Sequence, residues 1–213
     1  MMDCPLCRHG NHTHFHHDTI REYRRCARCM LVFVPPTSHL SQAMEKAEYD
    51  KHQNDPNDPG YRRFLARMLD PICERIPPPA LGLDFGCGPG PALASMFESH
   101  GYTMACYDKF YAKHPAVLQM RYNFITLTET AEHLADPGTV LARLWGLLLP
   151  GACLGIMTKR VSDPHAFRRW HYIRDITHIA FFSEQTFEWL AASWRAGVDF
   201  PQRDIVLFDA GRG

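Results

Sequence analysis

The stretch LDFGCGPGPALAS, residues 83–95, limits the fold more than any other part of the chain. An apolar run ends in Asp84, glycines follow at 86, 88 and 90, and an alanine- and leucine-rich run comes next. That order reads as strand, tight turn, helix. Glycines let the turn bring bare backbone against a ligand, and the helix behind it aims free N–H groups at the same place. Strand and helix patterns alternate from here on. LGLDF, YTMACYD, YNFITLT, ACLGIMT and DIVLFDA read as strands, and PALASMFESHG, GTVLARLWGLLLPG and EQTFEWLAASW as helices. YRRFLARMLDPICERI (61–76) carries a helical stripe of Phe64, Leu65, Met68, Leu69 and Ile72. QAMEKAEYDKH (42–52) fits a short helix, and the Pro, Asp, Asn and Gly of 53–60 fit a loop. The alternation predicts a doubly wound α/β domain with a mostly parallel sheet.

The glycine turn carries information about its ligand. Its pattern is Asp-x-Gly-Cys-Gly-x-Gly, tighter than a dinucleotide turn and led by an acid. Asp84 would repel a pyrophosphate but suits a ligand bearing ammonium and sulfonium charges, such as S-adenosylmethionine. A second acid, Asp108, ends the next strand 22 residues beyond Gly86. An acid at that place can accept the hydroxyls of a ribose diol.

These residues resemble the class I S-adenosylmethionine-dependent methyltransferases, whose sheet is Rossmann-like. LDFGCGPG is similar to their first motif and ACYD to the end of their second strand. The resemblance implies that Asp84, Gly86, Cys87, Gly88 and Gly90 border the methionine part, and that Asp108 holds the ribose. It also brings Lys109, Phe110 and Thr128 to the cofactor. Residues 122–158 resemble the ubiquinone-type O-methyltransferases, with Glu129, Glu132, His133, Asp136 and Pro137 on the motif, but Asn123 and Ala152 off it. Little chain separates Asp108 from Tyr122, so the usual third strand is expected to be missing. Tyr107, Lys109, Phe110 and Tyr111 are then available to cover the adenine.

CPLC (4–7) and CARC (26–29) form two C-x₂-C knuckles with 18 residues between them, within zinc-ribbon spacing. Four thiolates on one tetrahedral ion leave no position open, so Cys4, Cys7, Cys26 and Cys29 point to structural Zn²⁺. The intervening His9, His12, His14, His16 and His17 read as solvated hairpin residues or alternative ligands. The expected division is a ribbon over 1–35, a linker or lid over 36–60 and a catalytic domain over 61–213.

FRRWHYIRDITHIAFFS (167–183) crowds aromatics and histidines behind the fifth strand. It resembles the acceptor-lining segment of bacterial zinc-ribbon methyltransferases. Trp170, His171 and Tyr172 are candidates for the acceptor pocket. His133 and His178 are candidate bases, with Glu129 and Asp175 to orient them.

Twenty-three basic and 23 acidic residues cancel, and no apolar run is long enough to span a bilayer. The N-terminal ten residues lack the apolar core of a signal peptide. These features predict a cytosolic chain with reduced thiols and no general attraction to nucleic acid or membrane. Three readings stand: a small-molecule O- or C-methyltransferase, an RNA methyltransferase gripping its substrate through Arg21, Arg24, Arg25 and Arg28, and a non-catalytic protein that binds S-adenosylmethionine. The acceptor and the oligomeric state are not legible.

Overall fold

The computed structural model describes residues 2–51 and 55–211. The first residues build a small antiparallel unit from β1 (His12–His17), β2 (Glu22–Cys26) and β3 (Val32–Phe33). Two helices follow, α1 (Gln42–Tyr49) and α2 (Pro59–Arg75). The main run is β4 (Leu81–Phe85), α3 (Ala92–Ser99), β5 (Thr103–Tyr107), β6 (Tyr122–Thr128), α4 (Pro137–Gly146) and β7 (Leu148–Met157). The chain ends with α5 (Pro164–Arg168), β8 (Ala180–Phe181), α6 (Glu184–Trp194), β9 (Gly197–Gln202) and β10 (Ile205–Asp209).

The large sheet has the order β5-β4-β6-β7-β10-β9. Its first four strands are parallel, β10 runs antiparallel to β7, and β9 antiparallel to β10. Side chains alternate across the sheet, as the two-residue period of a strand requires. From β10, Ile205 and Leu207 join α2 and α3 in one core, and Val206 and Phe208 join α4 and α6 in the other. Phe124 belongs to the α2–α3 side; it is fully buried, with its ring 4.7 Å from that of Phe97 and 5.4 Å from that of Tyr102. Helix starts are capped by side chains. Asp58 accepts from Tyr61 N at α2, Asp136 from Thr139 N at α4, and Ser183 and Thr186 form a reciprocal box at α6.

The structure revises several sequence expectations. The helix read over 138–151 stops at Gly146, and the strand after it starts at Leu148, paired with Tyr122. Pro150 cannot donate within a helix, and the leucines before it are more useful to the sheet. Strand β9 has no predictive pattern in the sequence, because its residues are half or fully exposed and include Asp199 and Pro201. The absence of a third strand between β5 and β6 was expected, and there the described residues hold one 3₁₀ turn, Pro115–Gln119, and no strand. The helix placed over 42–52 ends at Tyr49, and its last expected residue, His52, lies outside the described residues, as do 53 and 54 of the expected loop.

The small unit does not stand apart. Strand β3 pairs with β8, making one four-stranded sheet of order β1-β2-β3-β8. Gly138 N donates to Pro5 O at 3.1 Å, and Arg8 reaches Asp136 at 2.5 Å and Thr139 at 3.0 Å. No helix among the described residues is long and apolar enough to cross a membrane.

Phe124 tests the α2–α3 core directly. Phe124→Ala should cost about 3–5 kcal/mol of stability, since the strand backbone holds the cavity open. A denaturant melt reads this as a lower midpoint at unchanged slope.

Candidate active site

The turn between β4 and α3 holds two left-handed residues, Gly86 (φ 80°) and Gly88 (φ 65°). Gly86 N donates to Tyr107 O at 2.7 Å, which ties the turn to the end of β5. A Cβ on Gly86 would lie 2.3 Å from Thr130 Oγ1, whereas one on Gly88 would meet nothing within 4 Å. The first glycine is therefore required by the protein's own packing, and the second opens onto space a ligand can take. Asp84 is buried just before the turn, and Thr126 Oγ1 donates to its Oδ1 at 3.0 Å. Burial raises its pKa to about 6, against the Thr126 hydrogen bond and with help from Asp108.

Asp108 is locked by backbone. Its Oδ2 accepts from Gly88 N at 3.1 Å, and its Oδ1 accepts from Phe110 N at 2.7 Å and Tyr111 N at 3.0 Å. A carboxylate has about four acceptor positions, so close to one is left for a hydroxyl. Helix α1 crosses this loop. Glu45 Oε1 accepts from Lys109 Nζ at 2.6 Å and from Tyr49 OH at 2.8 Å, and Asp50 Oδ1 accepts from Tyr111 OH at 2.7 Å. The Tyr49 ring touches Phe110 at 5.9 Å on one side and His133 at 5.2 Å on the other. Helix α1 thus links the glycine loop to the second half of the site.

That second half follows β6. Glu129 has φ 48°, Thr130 covers Gly86, and His133 N donates to Thr130 O at 3.1 Å. The rings of His133 and His178 lie 4.7 Å apart. Each Nδ1 faces a backbone carbonyl, Thr177 O at 3.1 Å and Tyr172 O at 2.7 Å. A carbonyl only accepts, so each Nδ1 carries the hydrogen and each Nε2 presents a lone pair in the neutral ring. Burial lowers both imidazole pKa values, His133 to about 3 with the neighbouring His178 adding to it. Glu132 is fully buried; Tyr172 OH donates to its Oε1, and its Oε2 has no partner. Burial raises Glu132 to about 8, with Glu129 adding, and raises Glu129 to about 7. The ligand atoms of Glu132, His133 and His178 come within 4.8 Å of one another, close enough for the three to hold a cation.

A parallel sheet with a glycine turn at the edge of its first strand, an acid locking the next strand and an inward-facing imidazole pair define a site class. A family model described as a methyltransferase domain matches residues 49–198. The chain belongs to this methyltransferase-domain family. It is an S-adenosylmethionine-dependent methyltransferase. A similar solved structure is 1,6-didemethyltoxoflavin-N1-methyltransferase of Burkholderia thailandensis, which holds 1,6-didemethyltoxoflavin and S-adenosylhomocysteine. It is 16% identical, with a TM-score of 0.56 over 93% of this chain and all of the other. An O-methyltransferase family protein of the same organism is 14% identical, with a TM-score of 0.53 over 79% of this chain and 63% of its own. Both likenesses concern the fold. Among curated proteins, none matches the chain.

In this methyltransferase the four cysteines converge as their spacing predicts. Cys4 and Cys29 sulfurs are 3.5 Å apart, Cys7 and Cys26 sulfurs 3.4 Å, and all four lie within 4.8 Å. Sulfurs around a tetrahedral zinc at about 2.3 Å are separated by a little under 4 Å. The donor set fits a zinc ion.

The other sequence candidates are scattered over the site. Tyr172 is buried against His178, with ring centroids 4.1 Å apart, and Trp170 stacks on Tyr172 at 4.9 Å. His171 is exposed and meets Lys159 Nζ at 2.8 Å. Lys109 turns to Glu45 and lies over the Phe110 ring. Thr128 Oγ1 is buried without a partner. The carbonyls of Thr177 and Tyr172 hold the two imidazole Nδ1 atoms, a contact that neither Glu129 nor Asp175, the expected orienting groups, makes. Asp175 approaches His178 Nε2 only to 3.7 Å, and its Oδ1 is taken by Thr177 N and Oγ1. Tyr49, Glu45 and Thr126 were not legible as site residues, and Arg21 was legible only as part of a basic strip. Each is defined by a contact with sequence-distant chain, and no local pattern marks it.

If the cysteine cluster holds zinc, purified protein should contain about one equivalent of the metal. A strong chelator should then lower the melting temperature in thermal unfolding, because metal affinity is part of the module's folding free energy.

Proposed function

We propose that the chain transfers the methyl group of S-adenosylmethionine to an oxygen or carbon of a small-molecule acceptor held against His133 and His178. The observation that carries this reading is the imidazole pair. A buried His178 and a half-buried His133 have their Nδ1 hydrogens held by carbonyls, and His133 follows the loop that Thr130 joins to Gly86. When bound, S-adenosylmethionine supplies a methyl on a cationic sulfur, and the electron pair of the breaking carbon–sulfur bond stays on sulfur. Asp84, Gly86, Cys87, Gly88 and Gly90 border the methionine end, Asp108 takes a ribose hydroxyl, and Lys109, Phe110 and Thr128 flank the remainder. Tyr49 and Tyr111 add an aromatic cover from α1 and the Asp108 loop.

For a hydroxyl acceptor, the proton leaves to His178 Nε2 as the carbon–oxygen bond forms. The Asp175 carboxylate at 3.7 Å stabilises the resulting imidazolium. His133, with its pKa held near 3, serves as a neutral hydrogen-bond acceptor that aligns the hydroxyl. Tyr172 and Trp170 wall off water, and the buried Glu129 and Glu132 make the site favourable for a cationic sulfur. The four cysteines carry structural zinc, in a ribbon over 1–35 joined through 36–60 to a catalytic domain over 61–213.

The basic strip expected to grip RNA is not laid out for it. Arg21 is only 3% exposed, Arg24 is paired with Glu22 at 2.7 Å, and Arg25 and Arg28 lie over Phe15 and Trp189. The fold neighbour from Burkholderia also holds a small molecule with S-adenosylhomocysteine. Both features favour the small-molecule reading over the nucleic-acid one.

A screen of phenols, catechols and sugars with S-adenosylmethionine tests the acceptor class, and silence across it with turnover on RNA would reverse the choice. On the acceptor found, His178→Ala should lower kcat by about 10²–10⁴-fold while S-adenosylhomocysteine affinity stays as in the wild type.

The cofactor half has a pH signature. The folded-state pKa of Asp84 is about 6, above its ordinary 3.8. Lowering the pH through 6 therefore protonates it in the folded protein first, which favours the fold but removes the charge a cationic ligand meets. Affinity for S-adenosylmethionine should fall from pH 7 to 5, and the fall should be shallower in Asp84→Asn, as read by calorimetry. Asp108→Ala should weaken binding at every pH.

A further inference from the structure

Arg21 lies at the turn between β1 and β2, far in sequence from the imidazoles, yet it is almost completely buried at 3% exposure. Among the described residues its guanidinium has no carboxylate in hydrogen-bond contact, and its buried Nε has no partner. Nη1 donates to Ile176 O and His178 O, both at 3.0 Å; Nη2 donates to Ile173 O at 2.7 Å, Asp175 O at 3.2 Å and Tyr23 OH at 3.0 Å. Four carbonyls of one six-residue stretch thus converge on a single cation. A fork of donors fits such a set, and a point charge on a flexible stem does not. The arginine is itself fixed. Asp18 accepts from Ile20 N and Arg21 N at 2.7 Å and from Tyr23 OH at 2.6 Å, closing the turn around its base.

We propose that Arg21 is a positioning residue for the acceptor site, through which the cysteine-bearing hairpin sets the course of residues 173–178 and so the place of His178. The proposal deepens the acceptor reading above and rests on it. The stretch 173–178 has little regular structure of its own. Its internal ties are His178 N to Asp175 O at 3.2 Å and the Asp175–Thr177 contacts. Without the guanidinium, four carbonyls in a largely buried place would lose their donor together, and each such loss is costly. The stretch would then rearrange to reach water and carry His178 away from His133. The hairpin is anchored at its other end by the cysteines, since Cys26 ends β2 and pairs with His12 of β1. It continues through β3 into β8, immediately after His178 and Ile179. Loss of the metal should therefore loosen the acceptor stretch while the glycine loop, fixed by Tyr107 and Asp108, keeps its shape.

The test needs no acceptor. Amide hydrogen exchange, S-adenosylhomocysteine calorimetry and imidazole NMR are measured on the full chain as wild type, Arg21→Ala, Arg21→Lys and the control Leu190→Ala. Leu190 packs in the α4–α6 core on another element, so its variant lowers stability without touching the stretch. In Arg21→Ala, amides 173–179 should exchange at least about ten-fold faster, and the signal of the His178 Nδ1 hydrogen should move or vanish. Residues 84–88 and 108–111 should keep their protection, and S-adenosylhomocysteine affinity should stay within about two-fold. Arg21→Lys should fall in between, and Leu190→Ala should leave both local signals alone. Chelating the metal from wild-type protein, followed by metal analysis, should reproduce the 173–179 pattern even if Arg21→Ala does not fold. Equal acceleration along the whole chain, the same His178 change in Leu190→Ala, or full protection of 173–179 after chelation would each overturn the proposal. Failure of wild-type protein to bind S-adenosylhomocysteine would instead count against the methyltransferase site, and the same titration shows it.

Discussion

Gly86 has to have no side chain. Its hydrogen occupies the only space left under Thr130, whose hydroxyl and methyl would stand 2.3 and 2.4 Å from a Cβ. Because that space is free, the chain leaving β6 can fold back over the chain leaving β4, and the two loops become one edge. Thr130 O then receives His133 N, so the imidazole is placed with reference to the glycine turn itself. The same turn is tied sideways to Tyr107 and through Gly88 to Asp108. One missing methyl group thus sets the spacing between the cofactor half of the site and the acceptor half, and neighbouring parallel strands supply both.

Electrostatics at this edge run in one direction. Asp84, Glu129 and Glu132 all have raised pKa values, and in each the largest cause is burial. The nearest lysine of the loop, Lys109, is engaged by Glu45 and turned away. Carboxyl groups kept out of water without a guanidinium or ammonium partner destabilise a protein by itself. They become favourable when a positive ligand arrives. A donor with a cationic sulfur and an ammonium group answers that need, and its neutral-sulfur product answers it less well, which helps release. Burial also keeps both imidazoles neutral, since it disfavours the protonated ring more than the nearby Asp175 carboxylate favours it.

Much of this was readable in the residues, and the limit is physical. The turn, its acid and Asp108 are local patterns, since strand, glycine and helix signals lie within one short stretch and the strand period fixes where each acid points. The four cysteines are legible because metal geometry restricts spacing. The end of α4 was misplaced because three leucines in a row satisfy a helix and a buried strand equally, and only pairing with Tyr122 decides between them. Strand β9 was missed because an edge strand facing water carries little apolar periodicity. The imidazoles were found by type, but their orienting groups were assigned to acids. Backbone carbonyls do that work, and every residue has one, so no sequence pattern announces them.

The cysteine module and the acceptor segment share more than a sheet. Tyr23, Val32 and Val34 from the module pack with Phe167, Tyr172, Ile173, Ile179 and Phe181 from the segment in a single buried cluster. A module of some 35 residues buries too little surface to fold alone, and the segment between β7 and α6 has only short helical turns and a two-residue strand. Each supplies the apolar face the other lacks, and the converging cysteines close the module behind it. Tyr172 meets His178 with ring centroids 4.1 Å apart and donates to Glu132, and it sits in the same buried cluster as Tyr23, Val32 and Val34. A displacement of Tyr172 would disturb Trp170 and Phe181, and through the shared cluster would be felt in β2 and β3. The buried cluster around Tyr172 therefore extends outside the family's matched region, into the small sheet that precedes it.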